Sequence, residues 1–240
     1  MQLLTTGNPK VQKSVPYGYL TAILHLSPAD TSGRNVCPWS TEGCRASCLN
    51  TAGRGGIAKA QDSQGMPINN IQAARKLRTK FFFEQRQEFL AQLRREINLH
   101  VRRAIRANLA PTVRLNGTSD LPWERISPAI FEQFPEVQFY DYTKSVQRMR
   151  EFLSGKLPAN YHLTFSVSES NHEQARKVRQ LGGNIVAVTT DGAEVGVLFN
   201  ALVTLCADAH DLRFLDPKGV VLTLRPKGRA KRDTSGFVVR

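Results

Sequence analysis

Short apolar segments alternate with amphipathic ones through the second half of the chain, and this alternation constrains the fold more than any other feature. Segments with helical periodicity lie at Ser127 to Phe134, Val146 to Phe152 and His172 to Leu181. The apolar segments between and beyond them have strand length. They are Thr112 to Leu115, Val137 to Tyr140, Tyr161 to Val167, Asn184 to Thr189, Leu202 to Leu205 and Gly219 to Leu224. Repeated strand–helix units favour a parallel sheet.

The first half of the chain supplies one more strand and a long helical segment. Tyr19 to Leu26 is apolar and of strand length, and residues 68–110 contain neither Gly nor Pro, which predicts a long helix, whole or broken once. No strand is followed by a G-x-G-x-x-G fingerprint, which weakens a dinucleotide-binding fold. We therefore predict an α/β fold: a (β/α) TIM-like barrel, complete or incomplete, forming a single domain over residues 1–240, with residues 1–18 as an irregular lead-in.

Residues 35–56, here called the cysteine loop, follow the first predicted strand. They place Cys37, Cys44 and Cys48 in the spacing C-x6-C-x3-C, within a segment rich in Gly, Ser, Thr and Asn that offers no apolar core for thiols. Thiolates are soft ligands that suit zinc and iron–sulfur clusters. Structural zinc sites usually combine two short cysteine hooks, so a single run of three favours an iron–sulfur cluster. Zinc, disulfides and free thiols remain alternatives, and Cys206 is either a fourth ligand or a small buried residue.

Positive charge is concentrated in two segments. The formal net charge is +13; residues 71–106 carry ten Arg or Lys against three Glu, and the tail, residues 225–240, carries six against one Asp. Such a balance predicts a polyanionic partner such as nucleic acid, or else a solvated basic surface. No apolar run approaches the ~20 residues of a membrane span. We expect no membrane association and a cytoplasmic protein; the oligomeric state stays open.

Polar residues follow the predicted strands where each one ends. In a (β/α) barrel these positions share one mouth, where the chemistry gathers. We predict that one group, Asn116, Ser119, Asp120 and Glu124, binds a cofactor or substrate. A second group, Lys144, Glu169 and His210, is predicted to orient or protonate the reacting group. The same positions also suit turns and helix N-caps.

Several motifs resemble a family of small bacteriophage proteins, and the resemblance runs nearly from end to end. They occupy residues 7–10, 35–55, 113–124, 139–144, 160–166, 210–216 and 227–238. In order they read GNPK, NVCP with GC-x3-CLNTAGRG, VRLNGTSD with WE, FYDYTK, NYHLTFS, HDLRFLD and KG-x-A-x-x-D-x-SGFV. The resemblance implies a phage protein acting in the host cytoplasm, and it names no reaction.

A looser resemblance is to the radical S-adenosylmethionine enzymes. In these barrels three cysteines after the first strand hold a [4Fe-4S] cluster, and a polar motif after the second strand helps to hold the cofactor. NGTSD at residues 116–120 occupies a comparable place, but that superfamily typically uses C-x3-C-x2-C. The resemblance implies a [4Fe-4S] cluster on the three cysteines of the loop, with S-adenosylmethionine as a further cofactor.

We therefore expect an iron–sulfur protein, as a redox or radical enzyme acting on or near nucleic acid. One alternative is a nucleic-acid-binding or host-interaction protein whose metal is purely structural. The other is a hydrolase or nuclease that holds a divalent ion with Asp120, Asp141, Glu169 and Asp208.

Overall fold

A nine-stranded sheet carries the fold in a computed structural model of the chain, which describes residues 1–7, 9–58, 60–61 and 67–240. Asn8 of the GNPK motif lies outside the described residues. The strands of this sheet are β1 Leu4–Thr5, β2 Tyr19–Leu24, β5 Ala110–Arg114, β6 Gln138–Thr143, β7 Tyr161–Ser166, β8 Ile185–Thr189, β9 Thr204–Cys206, β10 Val221–Leu224 and β11 Val238–Val239. Two further strands, β3 Ala60–Gln61 and β4 Pro67–Ile68, form a separate antiparallel pair.

The strand order is β1-β2-β5-β6-β7-β8-β10-β9, and β11 pairs with the end of β8. All pairs from β2 to β9 are parallel, and β1 alone runs antiparallel to its neighbour. Each of the seven predicted strand segments forms one of these parallel strands, so the α/β prediction is confirmed. Five strands, β2, β5, β6, β7 and β8, lie side by side in the order in which they occur along the chain. A barrel has this strand order, whereas in a doubly wound sheet the strand order reverses near the middle.

The α-helices are α1 Pro9–Gln12, α2 Glu42–Ala46, α3 Asn70–Glu84, α4 Arg86–Arg106, α5 Trp123–Ile126, α6 Pro128–Gln133, α7 Val146–Leu153, α8 His172–Gln180 and α9 Gly192–Leu198. Of these, α4, α6, α7, α8 and α9 pack buried apolar side chains into one core with the sheet. The predicted long helix is broken once, at Gln85. Phe89, Leu93 and Ile97 of α4 are fully buried, and α4 packs against β2 and β5. No helix of the described residues has the length and apolarity that crossing a membrane requires.

The opposite face of the sheet is covered by chain from residues 207–216. Side chains alternate along a strand. In β6, Phe139 therefore packs edge to face against Phe131 of α6, with ring centroids 4.9 Å apart, while Tyr140 points the other way. There Tyr140 and Tyr19 each pack their rings against Phe214, with centroids 5.6 and 5.2 Å apart. The segment therefore fills the face that the helices leave open.

The predicted irregular lead-in, residues 1–18, contains the short elements β1 and α1. Leu4 and Thr5 form β1, and the backbone N–H groups of Leu3 and Leu4 donate to the Glu96 carboxylate on α4 at 2.8–3.0 Å. A two-residue strand leaves no periodic pattern in the sequence. Its stability comes from pairing with β2 and from a distant carboxylate, not from local propensity.

Candidate functional site

A cavity of about 210 Å³ opens where the parallel strands end. Its wall combines the three cysteines of the cysteine loop with polar residues that follow β5, β6 and β10. In a parallel sheet all carboxyl ends lie at one edge, so segments far apart in sequence meet there. Four further predicted site residues line this cavity: Asn116, Ser119, Asp120 and Lys144.

The three loop cysteines are half-buried free thiols. The thiol of Cys37 accepts a hydrogen bond from Ala29 N at 3.3 Å and donates to Thr118 O at 3.7 Å. The pKa of Cys37 is raised to about 12, mainly by burial and in smaller part by the neighbouring thiols of Cys48 and Cys44. Burial also raises the pKa of Cys48. All three thiols are therefore close enough to influence one another, although the described residues contain no group of three His, Cys, Asp or Glu arranged to hold a metal ion.

Cys206 lies apart from this cluster. It is exposed at the end of β9, an edge strand that pairs only with β10 in the described residues. Cys206 does not line the cavity. The interpretation of Cys206 as a small buried residue was wrong, because an edge strand leaves one side of its residues open to solvent.

Glu169 anchors the cysteine loop from outside the cavity. Its carboxylate accepts from Thr41 Oγ1 at 2.9 Å and from Gly43 N at 2.8 Å, at the first turn of α2. A Cβ at position 43 would meet Ser235 Oγ and the Glu169 carboxylate, so a larger residue here would displace the ends of these two side chains. Glu169 thus contacts the cysteine loop through hydrogen bonds and does not line the cavity.

The tail holds the same loop from the other side. Asp233 accepts from Ser47 Oγ at 3.0 Å and from Val238 N at 3.0 Å, which joins the loop to β11. The tail is therefore folded over the cavity, and Phe237 contributes to the cavity wall. The basic residues of the tail therefore belong to a folded segment.

Asp120 and Glu124 share one buried arginine. Arg148 of α7 is 1% exposed and donates from Nη1 to Asp120 Oδ1 at 2.8 Å. The same guanidinium forms a two-point contact with Glu124, at 2.7 and 2.9 Å, and donates to Tyr161 OH at 2.9 Å. Glu124 therefore lies behind the cavity wall, while Asp120 lines it. Sequence reasoning missed Arg148, since one arginine in an amphipathic helix gives no signal of burial.

Asn116 is fully engaged by the protein. Its Nδ2 donates to Leu121 O and to Asp141 Oδ2, and its Oδ1 accepts from Ser119 Oγ and Leu121 N, all within 2.8–3.1 Å. Asp141 is completely buried, and burial raises its pKa to about 7 against the opposing effect of Arg114. This region shapes the cavity wall and leaves Asn116 no polar atom for a ligand.

Together, the cavity, the folded tail and the sheet use residues from the whole length of the chain. One family model, described as Gene product 88, matches residues 2–240. The chain belongs to the Gene product 88 family. That description states no reaction. No curated protein and no solved structure matches the chain. For this member of the Gene product 88 family, function must be argued from the site itself.

In the Gene product 88 chain, two other predictions concern residues that do not meet in the cavity. One is His210, and the other is the set of four carboxylates predicted to hold a divalent ion. His210 packs its ring against Tyr17 at 4.4 Å, its Nδ1 accepts from Leu212 N, and burial lowers its pKa. It does not line the cavity. Asp208 is bonded to Lys227 Nζ at 2.6 Å. The four carboxylates considered for a hydrolytic metal site are thus each bonded to other partners, and the described residues do not gather them into a metal site.

Proposed function

We propose that this protein binds an iron–sulfur cluster through Cys37, Cys44 and Cys48 and acts as a redox or radical enzyme on a compact substrate in the adjoining cavity. The observation that carries the proposal is that all three cysteines of one loop line one cavity at the carboxyl edge of a parallel sheet. An edge of this kind is where α/β proteins hold cofactors and substrates.

The donor set suits a cluster. Thiolates are the usual ligands of iron–sulfur clusters, and a cation bound here would offset the cost of ionising thiols whose pKa burial has raised. A single zinc ion needs every sulfur at about 2.3 Å from one point. A cluster instead binds its thiolates at separate irons, which suits three cysteines spread along one loop. When bound, the cluster would supply one-electron chemistry.

The position of Cys206 favours a [4Fe-4S] cluster with one iron free of protein ligands. Three cysteines line the cavity and the fourth is exposed elsewhere. We also propose that the sheet is an incomplete (β/α) barrel, since its strands follow chain order from β2 to β8. S-adenosylmethionine is the first cofactor to test, and the cavity of about 210 Å³ would have to widen for it, because pockets for ligands of that size span about 300–1,000 Å³.

Anaerobic purification with iron, sulfide and zinc analysis tests the proposal. We expect iron and sulfide with broad visible absorption in the wild type, lost in Cys37→Ala, Cys44→Ala and Cys48→Ala. Cys206→Ala is the matched control and should keep its iron. Zinc at about one per chain, or iron that survives all three loop substitutions, would refute the proposal.

Nucleic-acid binding is a second candidate function, favoured by one face of α4. Within the described residues, four exposed arginines of this helix form no ion pair with a carboxylate: Arg95, Arg102, Arg103 and Arg106. Unpaired guanidinium groups along one helix can contact successive phosphates. Binding to duplex DNA that weakens steeply as salt rises would support this function, and salt-independent binding would contradict it.

A further inference from the structure

We propose that the cavity binds an anionic ligand, whose phosphate or carboxylate group lies against Lys144 and Arg225. The inference rests on the proposed function, because it names the class of ligand for the same cavity. It starts from the balance of charged side chains in the cavity wall, which is four basic residues, Arg114, Lys144, Arg225 and Lys227, against one acidic residue, Asp120.

Two of the four basic residues already have carboxylate partners. Arg114 is 8% exposed and donates to Asp211 Oδ2 at 2.7 Å. Lys227 donates to Asp208 Oδ1 at 2.6 Å. A cation paired at these distances has its charge largely balanced. Arg114 and Lys227 therefore add little unbalanced positive charge to the cavity wall.

Lys144 and Arg225 are different. In the part of the chain that the structure describes, the Lys144 ammonium donates one hydrogen bond, to Ser166 Oγ at 2.8 Å, and lies 5.7 Å from the centre of the Phe237 ring. The backbone N–H of Arg225 donates to Asp208 Oδ2 at 2.9 Å, but within those residues its guanidinium forms no ion pair. An ammonium group carries three donors, so one hydroxyl partner leaves two for a ligand. Both residues follow the carboxyl ends of their strands, β6 and β10, and both line the cavity.

The one acidic residue of the wall does not balance them. Both oxygens of Asp120 are occupied, by Arg148 Nη1 at 2.8 Å and by the backbone N–H of Lys144 at 2.9 Å. Lys144 is close enough to lower the pKa of Asp120, but burial has the largest effect and raises it. Asp120 is thus an acceptor already used by the protein.

Unbalanced positive charge beside a partly enclosed cavity attracts an anion, and water screens the half-buried Lys144 less than it screens a fully exposed cation. Phosphate and carboxylate oxygens accept the charge-assisted hydrogen bonds that ammonium and guanidinium groups donate.

The size of the cavity restricts the ligand. At about 210 Å³, it falls below the ~300–1,000 Å³ typical of pockets for drug-sized molecules. Phe237, Val186 and Val188 add an apolar section to the wall. These features fit a compact molecule that carries one or two anionic groups on a small body, rather than a polymer.

Calorimetric titration of the full chain with inorganic phosphate and, separately, with succinate tests the inference and separates the two sources of negative charge. We expect saturable binding of at least one of them, and a dissociation constant raised about tenfold or more in both Lys144→Met and Arg225→Met. The matched control is Arg229→Met, which removes the same charge from an exposed position of the same tail outside the cavity wall. It should bind within about twofold of the wild type.

Neither anion binding, or an equal loss in Arg229→Met, would overturn the inference. Because Arg225 is exposed, Arg225→Met gives a valid result even if Lys144→Met fails to fold. The titrations are run on metal-free protein and on protein incubated with iron and sulfide. Anion binding without any cluster would refute the proposed function and leave this inference standing, whereas a cluster without anion binding would do the reverse.

Discussion

Replacing Arg148 by methionine should destabilise the protein more than any comparable change of charge on its surface. Methionine keeps much of the apolar volume of the arginine stem but removes all of its donors. In the wild type those donors bind Asp120 at 2.8 Å, Glu124 at 2.7 and 2.9 Å, and Tyr161 OH at 2.9 Å. In the variant the carboxylates of Asp120 and Glu124 would have lost this cation, although their side chains are only 12% and 3% exposed.

Removing one partner of a buried ion pair costs about 3–5 kcal/mol, because the remaining charge stays desolvated. Here two carboxylates lose their partner. Asp120 keeps hydrogen bonds from the backbone N–H of Lys144 and from the Thr143 side chain, whereas Glu124 loses both of its bonds to the guanidinium. We therefore expect a loss of about 3–5 kcal/mol in the free energy of unfolding at pH 7.5. Arg125→Met is the control: Arg125 pairs with Glu151 at 2.7 Å but is 51% exposed, so its loss should stay below ~1 kcal/mol.

The loss should depend on pH with a definite sign. Burial already raises the pKa of Asp120 although the attraction of Arg148 opposes it, and without Arg148 that pKa should rise further. A carboxyl whose pKa is higher in the folded state than in the unfolded state favours folding when it is protonated. Its destabilising effect is therefore largest above the folded pKa and fades as pH falls toward about 4. The difference between Arg148→Met and wild type should shrink between pH 7.5 and pH 5.

Urea unfolding followed by circular dichroism at both pH values measures these differences. With an m-value of about 3 kcal/mol/M, a loss of 3–5 kcal/mol moves the midpoint down by roughly 1–1.7 M. A triple variant that adds Asp120→Asn and Glu124→Gln to Arg148→Met should recover part of the loss, because no buried charge remains. A loss below about 1 kcal/mol, or one that is equal at pH 7.5 and pH 5, would refute the reasoning.

Three further predictions concern the loop, the thiols and α4. Glu169→Ala should open new sites of limited proteolysis in the cysteine loop, through loss of hydrogen bonds worth about 1–3 kcal/mol; Glu173→Ala, an exposed change on α8, should not, and an intact loop in Glu169→Ala would contradict the anchor. Iodoacetamide at pH 8 should label exposed Cys206 before Cys37, whose pKa of about 12 leaves roughly one thiolate in ten thousand; mass spectrometry showing equal rates would exclude the buried thiol. If α4 contacts phosphates, Arg102→Gln should reduce the slope of log affinity against log salt by about 0.9, and an unchanged slope in filter binding would place nucleic acid elsewhere.

The sequence determined which segments form the strands of the sheet and that these strands run parallel, so that they end at one edge. Each of the seven parallel strands that the sequence predicted corresponds to an apolar segment with its own boundaries, and the stripe of Leu93 and Ile97 identifies α4 within a few turns. Because parallel strands end at one edge, the position of the cysteine loop directly after β2 was enough to predict that its thiols would meet the residues that follow β5 and β6. These signals are local, so they could be read without knowing the three-dimensional structure.

Only the tertiary structure decided which polar residues face the cavity and which support it. Glu169 reaches Gly43 across 126 residues of sequence, and Arg148 joins Asp120 across 28. No local pattern encodes such pairs, since they depend on how helices and loops pack around the finished sheet. For the same reason the sequence could not show that residues 207–216 pack on the face of the sheet opposite α6, or that the tail folds over the cysteines. Contacts of this kind exist only once the strands have taken their register.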